Sequence, residues 1–182
     1  MKTIAVVCQK GGVGKTTTVI NLASVLSRKG LKTLIIDTDP QGNVSTYLNQ
    51  NKTSELTTST TQILEGENKI EPIKVFENLY LIPSDVDIKR HNSEKIVGGS
   101  KLRKIRQNET IKTFDIVFID TPPTMSSLVQ EALSTADYYF IPSKPEFLAV
   151  EGVGQAMSFA KQSISEVPHT DPHFLGVVLN QV

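Results

Sequence analysis

The chain has one cysteine, no net charge and no apolar run long enough to cross a bilayer, and each of these scarcities closes a class of function. Cys8 alone can form no disulfide within the chain and cannot complete a cysteine-based metal site. It reads as a small residue ending a strand, and the compartment expected is the reducing cytosol. A formal charge of +0, from 19 basic and 19 acidic residues, provides no general attraction to nucleic acid or to an anionic membrane. Any such binding needs a local patch or a surface made by a ligand. A membrane-spanning helix needs about 18 or more apolar residues, and none is present. The N-terminus enters a strand directly, without the apolar core of a signal peptide. No internal repeat is apparent. What 182 residues with 38% hydrophobic content do allow is one globular domain with a sizeable core.

Apolar runs without strict alternation occur at Thr3–Val7, Thr33–Asp37, Leu79–Ile82, Ile116–Ile119, Tyr138–Ile141 and Phe174–Leu179, the pattern of strands buried on both faces. Helical spacing lies between several of them. It is found over Thr16–Arg28, where Ile20, Leu22, Ala23, Val25 and Leu26 recur, in a basic stretch near Lys101–Lys112, over Ser126–Thr135, and over Val150–Ser165. Strand and helix in alternation predict an α/β fold: a mostly parallel sheet in three layers, helices on both faces, with ligands at the carboxyl ends of the strands. The segment from Gln41 to Asn78 is the least regular and is expected to hold a loop and a short helix.

The stretch "CQKGGVGKTTT" over residues 8–18 connects the first strand run to the first helical pattern. Gly14-Lys15-Thr16 closes the phosphate-loop pattern G-x-x-x-x-G-K-[ST], although Gln9 stands where the first glycine belongs. The chemical parts remain. Glycines let backbone N–H groups converge on phosphate oxygens, Lys15 reaches the β- and γ-phosphates, and the Thr16 hydroxyl is a ligand for Mg²⁺. A strand, a glycine turn and a helix whose free N–H groups face that turn make an anion site by construction. Lys10, on the other side of the glycines, is either a second functional lysine or a surface side chain beside the loop.

Carboxylates at strand ends supply the rest. Asp37 and Asp39 follow the second strand run and Asp120 ends another, so all three face the edge that carries the loop. A nucleotide site needs a carboxylate to hold the waters around Mg²⁺, and Asp120 suits this best, with Asp37 a neighbouring outer ligand. A second carboxylate can orient, or take a proton from, the water attacking the γ-phosphate, and Asp39 is the candidate. The bland reading makes these acids caps and turn residues in "DTDPQGN" and "DTPP". Two acidic strand ends in one chain with a phosphate loop favour the functional one. Thr121-Pro122-Pro123 would then be a stiff segment placed to report the γ-phosphate.

Together "KGGVGKTT", "IDTDPQGN", "FDIVFIDTPP" and "IPSKPEFLAVEGVGQ" resemble, in order and spacing, the ParA-type (ParA/Soj) partition ATPases of the MinD/ParA superfamily of deviant Walker A P-loop proteins. The resemblance runs from Met1 to the end and is weak between about Thr53 and Lys112. It implies a slow, partner-stimulated Mg²⁺-dependent ATPase. Lys10, Gly11, Gly12, Val13, Gly14, Lys15, Thr16 and Thr17 would hold ATP, Asn180 would help hold adenine, Thr16, Asp37 and Asp120 would serve Mg²⁺, and Lys10, Lys15 and Asp39 would act in catalysis. Lys10 would be the signature lysine, reaching across an ATP-sandwich homodimer. The physics agrees: a lysine just outside the loop cannot easily reach the phosphate which that loop encircles, whereas a partner's lysine can enter from outside like an arginine finger.

By the same resemblance the dimer would bind DNA nonspecifically and a ParB-like centromere-binding protein would stimulate hydrolysis, in the cytoplasm and on the nucleoid when ATP is bound. The reading is one ATPase domain over residues 1–182 that stops short of the C-terminal portion usual in the family. Cys8 replaces the Asn or Ser that often precedes the loop. A MinD-like membrane-directed regulator is the alternative, and it would call for a C-terminal amphipathic helix that is not visible, so no stable membrane association is expected. A nitrogenase-reductase-like role needs paired cysteines. The basic run "KLRKIR" over residues 101–106 reads as a solvated face with Leu102 and Ile105 inward rather than as a phosphate contact. His169 and His173 read as structural.

Overall fold

The computed structural model describes residues 1–48, 57–93, 100–167 and 171–181. Seven strands form one sheet: β1 (Lys2–Val6), β2 (Thr33–Asp37), β3 (Ile73–Phe76), β4 (Leu79–Ile82), β5 (Ile116–Asp120), β6 (Tyr138–Ser143) and β7 (His173–Leu179). Their order is β3-β4-β2-β5-β1-β6-β7, and every neighbouring pair is parallel except β3 with β4. The helices are α1 (Lys15–Arg28), α2 (Asn43–Leu48), α3 (Thr60–Leu64), α4 (Glu109–Lys112), α5 (Ser127–Thr135) and α6 (Phe147–Glu166).

Successive residues of the central strands divide between two cores, which is why their sequences do not alternate in polarity. Ala5, Leu34, Ile36, Val117, Ile119 and Tyr139 join one cluster with Leu128, Ala132 and Leu133 of α5 and Ala160 of α6. Val6, Ile35, Phe118 and Phe140 join the other, with Val19, Ile20 and Ala23 of α1 and Val44 of α2. The expected three-layer α/β architecture is thus present.

Three local expectations are corrected. The Gln41–Asn78 segment holds two short helices and a strand in addition to its loops. Ile73 and Val75 are buried and Lys74 and Phe76 exposed, an alternation only four residues long that pairs antiparallel with β4 through a turn carrying Asn78 at φ 57°. The basic stretch is not one helix: a 3₁₀ turn over Leu102–Gln107 ends at Asn108, whose side chain accepts the Thr110 and Ile111 N–H groups and starts α4. Asparagine caps helices better than it continues them. On α1 the buried stripe is Val19, Ile20, Ala23 and Ser27, while Leu22 and Val25 lie on the outer side at 39% and 50% exposure. Of the apolar residues at helical spacing, Ile20, Ala23 and Leu26 pack against the core, and only Leu22 and Val25 face away from it.

The run "KLRKIR" buries Leu102 and Ile105 as expected. Its arginines are not simply solvated. Arg103 donates to the Ser134 carbonyl, and Arg106 donates to the Thr135 carbonyl and to Asp137 Oδ1, so both close the C-terminal end of α5. No helix among the described residues is long and apolar enough to cross a membrane. His169 lies outside the described residues, and His173 meets the Tyr138 ring edge-on at 6.3 Å.

Candidate functional site

Strand register brings the acids to the glycine loop. Val6 pairs with Asp120 and Asp37 pairs with Asp120, so β1, β5 and β2 end at one level. Two threonines tie those ends together. Thr38 Oγ1 and N–H both donate to the Asp120 carbonyl at 2.7 and 2.9 Å, and Thr121 Oγ1 donates to the Val6 carbonyl at 2.6 Å. Thr121 belongs to the stiff Thr121-Pro122-Pro123 segment read from the sequence; Thr38 carries no mark of its own there, and the D-T pattern that "DTDP" shares with "DTPP" is the signal that points to it.

The loop runs from the end of β1 to α1, with Gly12 at φ 72° and Gly14 at φ 87°, conformations open to glycine. α1 has no side-chain cap and no acid in its first turn. A helix N-terminus left in that condition offers its N–H groups and the positive end of its dipole to an anion. Gly11, Gly12, Gly14, Lys15, Thr16 and Thr17 line a cleft of about 630 Å³ with Asp39 and Pro123. Gln41, Asn43, Thr46 and Tyr47 from the α2 segment also line the cleft, although nothing local in those residues marks them as facing the loop.

Lys15 is buried at 8% exposure, and burial lowers its pKa against the opposing pull of Cys8, Asp120 and Asp39. Thr16 Oγ1 donates to Asp120 Oδ2 at 2.7 Å. The other Asp120 oxygen, Oδ1, is buried with no hydrogen-bond partner. Burial raises the Asp120 pKa to about 7 despite the Thr16 hydrogen bond. A hydroxyl and a desolvated carboxylate with an unpaired oxygen, beside an anion site, fit a hydrated Mg²⁺ that a phosphate also ligates. Among the described residues no group of three or more His, Cys, Asp or Glu could hold a metal ion.

Asp37 is wholly buried and already engaged: Oδ1 accepts the Asp39 N–H, and Oδ2 accepts the Ser45 N–H and hydroxyl. Burial raises its pKa to about 6. Both of its carboxylate oxygens are thus engaged, one of them by the Asp39 backbone. Asp39 is 5% exposed, its Oδ1 accepts the Gln41 N–H at 2.9 Å, and its carbonyl accepts the Gly42 N–H at 2.8 Å, which pins the side chain at the cleft wall.

Lys10 is not among the cleft-lining residues. Its Nζ lies 3.3 Å from Glu146 Oε2 in an exposed pair, beside a smaller cavity of about 240 Å³ lined by Gln9, Lys10, Glu151, Gly152 and Gln155. Asn180 sits behind the loop, its amide donating to the Val13 carbonyl at 3.1 Å. A further cavity of about 660 Å³ opens at the opposite ends of the strands, where Lys2, Tyr138 and His173 begin β1, β6 and β7. Its arginines, Arg103 and Arg106, are those that close α5.

The two raised carboxylates have a consequence for stability. A folded-state pKa above the unfolded value of about 3.9 means that the folded chain holds more protons at intermediate pH. The stability contributed is therefore present below about pH 4 and is lost as pH rises through about 6 for Asp37 and about 7 for Asp120. Thermal melting of the ligand-free protein is expected to show a larger fall between pH 5 and pH 8 for the wild type than for Asp120→Asn. Equal slopes would mean that the Asp120 charge is not penalised.

A family profile described as an AAA domain matches residues 1–170. The chromosome partitioning protein ParA of Caulobacter vibrioides (strain NA1000 / CB15N) is 37% identical over 166 residues, 86% of this chain and 61% of that protein. The sporulation initiation inhibitor protein Soj of Bacillus subtilis (strain 168) is 33% identical over 185 aligned positions, 100% of this chain and 73% of that protein. Among solved structures, cobyrinic acid a,c-diamide synthase from Mycobacterium smegmatis, with bound ATP analogue and magnesium, superposes with a TM-score of 0.83 at 28% identity over 98% of this chain and 74% of that one. The chain thus spans about three fifths of the length of the ParA relative.

Proposed function

Because the chain belongs to the AAA domain family, in its ParA/Soj partitioning branch, we propose that it is a Mg²⁺-dependent ATPase switch that forms ATP-sandwich dimers, binds DNA nonspecifically as a dimer, and partitions a plasmid or chromosome with a ParB-like centromere-binding partner. It would work in the cytoplasm and on the nucleoid when ATP is bound. The observation that carries the reading is the Thr16–Asp120 pair, with an unpaired buried carboxylate oxygen, at the mouth of an uncapped helix beside Lys15.

In this reading the α1 N–H groups and Lys15 bind the phosphates. Thr16 and Asp120 would hold Mg²⁺. Mg²⁺, when bound, neutralises charge on the β- and γ-phosphate oxygens. Asp39 orients the attacking water and accepts its proton at a carboxylate oxygen. Pro123, at the cleft, supplies the stiff segment able to register the γ-phosphate. The synthase with its ATP analogue and magnesium supports the ligand assignment, because it carries them on the same fold.

Lys10 supports the dimer. Held outside its own cleft, it is available to a second copy, and its exposed bond to Glu146 is of the kind worth about 0–1 kcal/mol. The test is DNA retention and sedimentation of the purified protein with and without ATP and Mg²⁺. Expected are ATP-dependent dimers and ATP-dependent, salt-sensitive DNA binding. Monomers that hold ATP and ignore DNA would leave a nucleotide-binding protein and remove the switch.

A further inference from the structure

We propose that Asn180 is a positioning residue that holds the phosphate loop in its anion-binding shape from behind; the proposal rests on reading the cleft as a nucleotide site. Asn180 follows β7, and its backbone N–H is fixed on the Ser143 carbonyl at 2.8 Å. From there its side chain crosses to a loop 167 residues earlier, where Nδ2 donates to the Val13 carbonyl at 3.1 Å. Its Oδ1 accepts the Gln181 N–H at 3.0 Å. These partners set the orientation of the amide, because a carbonyl only accepts and a backbone N–H only donates. Gln181, at φ 61°, directs Nε2 toward the neighbouring Gly12 carbonyl at 3.5 Å.

The consequence follows from peptide planarity. In a trans peptide the C=O and the next N–H point in opposite directions. Tying the Val13 carbonyl to Asn180 therefore turns the Gly14 N–H away from Asn180. Gly14 lines the cleft and Asn180 does not. The bond thus fixes a phosphate-facing donor without entering the cleft. Gly14 is matched to this contact, since a Cβ at that position would collide with Asn180 Nδ2. The glycine is needed for the approach of Asn180 as well as for its φ of 87°.

A residue acting on the loop and one acting on adenine differ in which ligand reports a mutation. Binding of Mg²⁺·ATP and of Mg²⁺·tripolyphosphate, which has no base, should be measured by calorimetry on the full chain as wild type, Asn180→Ala and Asn180→Asp. Asn180→Asp keeps the shape and the Gln181 contact but faces the Val13 carbonyl with an acceptor. Both variants are expected to bind both ligands about tenfold more weakly, at unchanged stoichiometry, with Asn180→Asp the weaker. ATP binding lost with tripolyphosphate binding kept would make Asn180 a base contact and overturn the proposal. Reduced stoichiometry at unchanged affinity would make it a fold residue, which also overturns it. If the wild type bound neither ligand, the nucleotide reading itself would fall, and this proposal with it.

Discussion

Substituting Asp39 by alanine is expected to lower ATP turnover by about 10²- to 10⁴-fold, the usual contribution of a positioned acid or base, while ATP-dependent dimers accumulate. The two effects separate because the groups do. Asp39 is held by its own local bonds, N–H to Asp37 Oδ1 and Oδ1 to the Gln41 N–H, and makes no hydrogen bond to Lys15, Thr16 or Asp120. Removing its carboxylate takes away the group that would orient water and leaves the phosphate-binding set in place. Phosphate release and sedimentation with ATP and Mg²⁺ check the two halves. Unchanged turnover would remove Asp39 from the chemistry, and monomers alone would count against the sandwich.

Lys10→Ala should leave nucleotide affinity within about threefold of wild type and abolish dimerisation or stimulated hydrolysis, a loss of about 10³-fold or more for a trans-acting cation. Lys15→Ala should do the reverse and lose the nucleotide. The contrast comes from where the two ammonium groups sit. Lys15 is buried in the cleft with Asp39 and Asp120 as electrostatic neighbours, and burial lowers its pKa. Lys10 is 41% exposed, outside that cleft, and paired with a Glu146 that is 53% exposed. Solvent screens such a pair, so it yields readily to a better anion. Equal loss of affinity in the two variants would defeat the trans assignment of Lys10.

Much of this site was legible because its chemistry is local. "GGVGKTT" requires a loop and a helix start within a few residues, and the apolar runs ending in Asp37 and Asp120 show strands that deliver acids to one edge. The weakest stretches had short or split signals. The four-residue strand β3 and the cap at Asn108 fall below the length at which periodicity distinguishes elements. On α1, apolar residues occur on more than one side, so their spacing did not identify the face that meets the sheet.

The sequence by itself determined the fold class, the phosphate loop and the identity of the acids near it, since each depends on contiguous residues and on strands hydrophobic enough to be buried on both faces. The tertiary structure alone decided which groups touch. Thr16 meets Asp120 across 104 positions, Thr121 meets Val6 across 115, Lys10 meets Glu146 across 136, and Asn180 meets Val13 across 167. Those pairings follow from parallel strand order, in which neighbours in space are distant in the chain. Backbone hydrogen bonds set the register that aligns Val6, Asp37 and Asp120 to within one residue. No residue's type reveals its partner there, because the partner is chosen by packing.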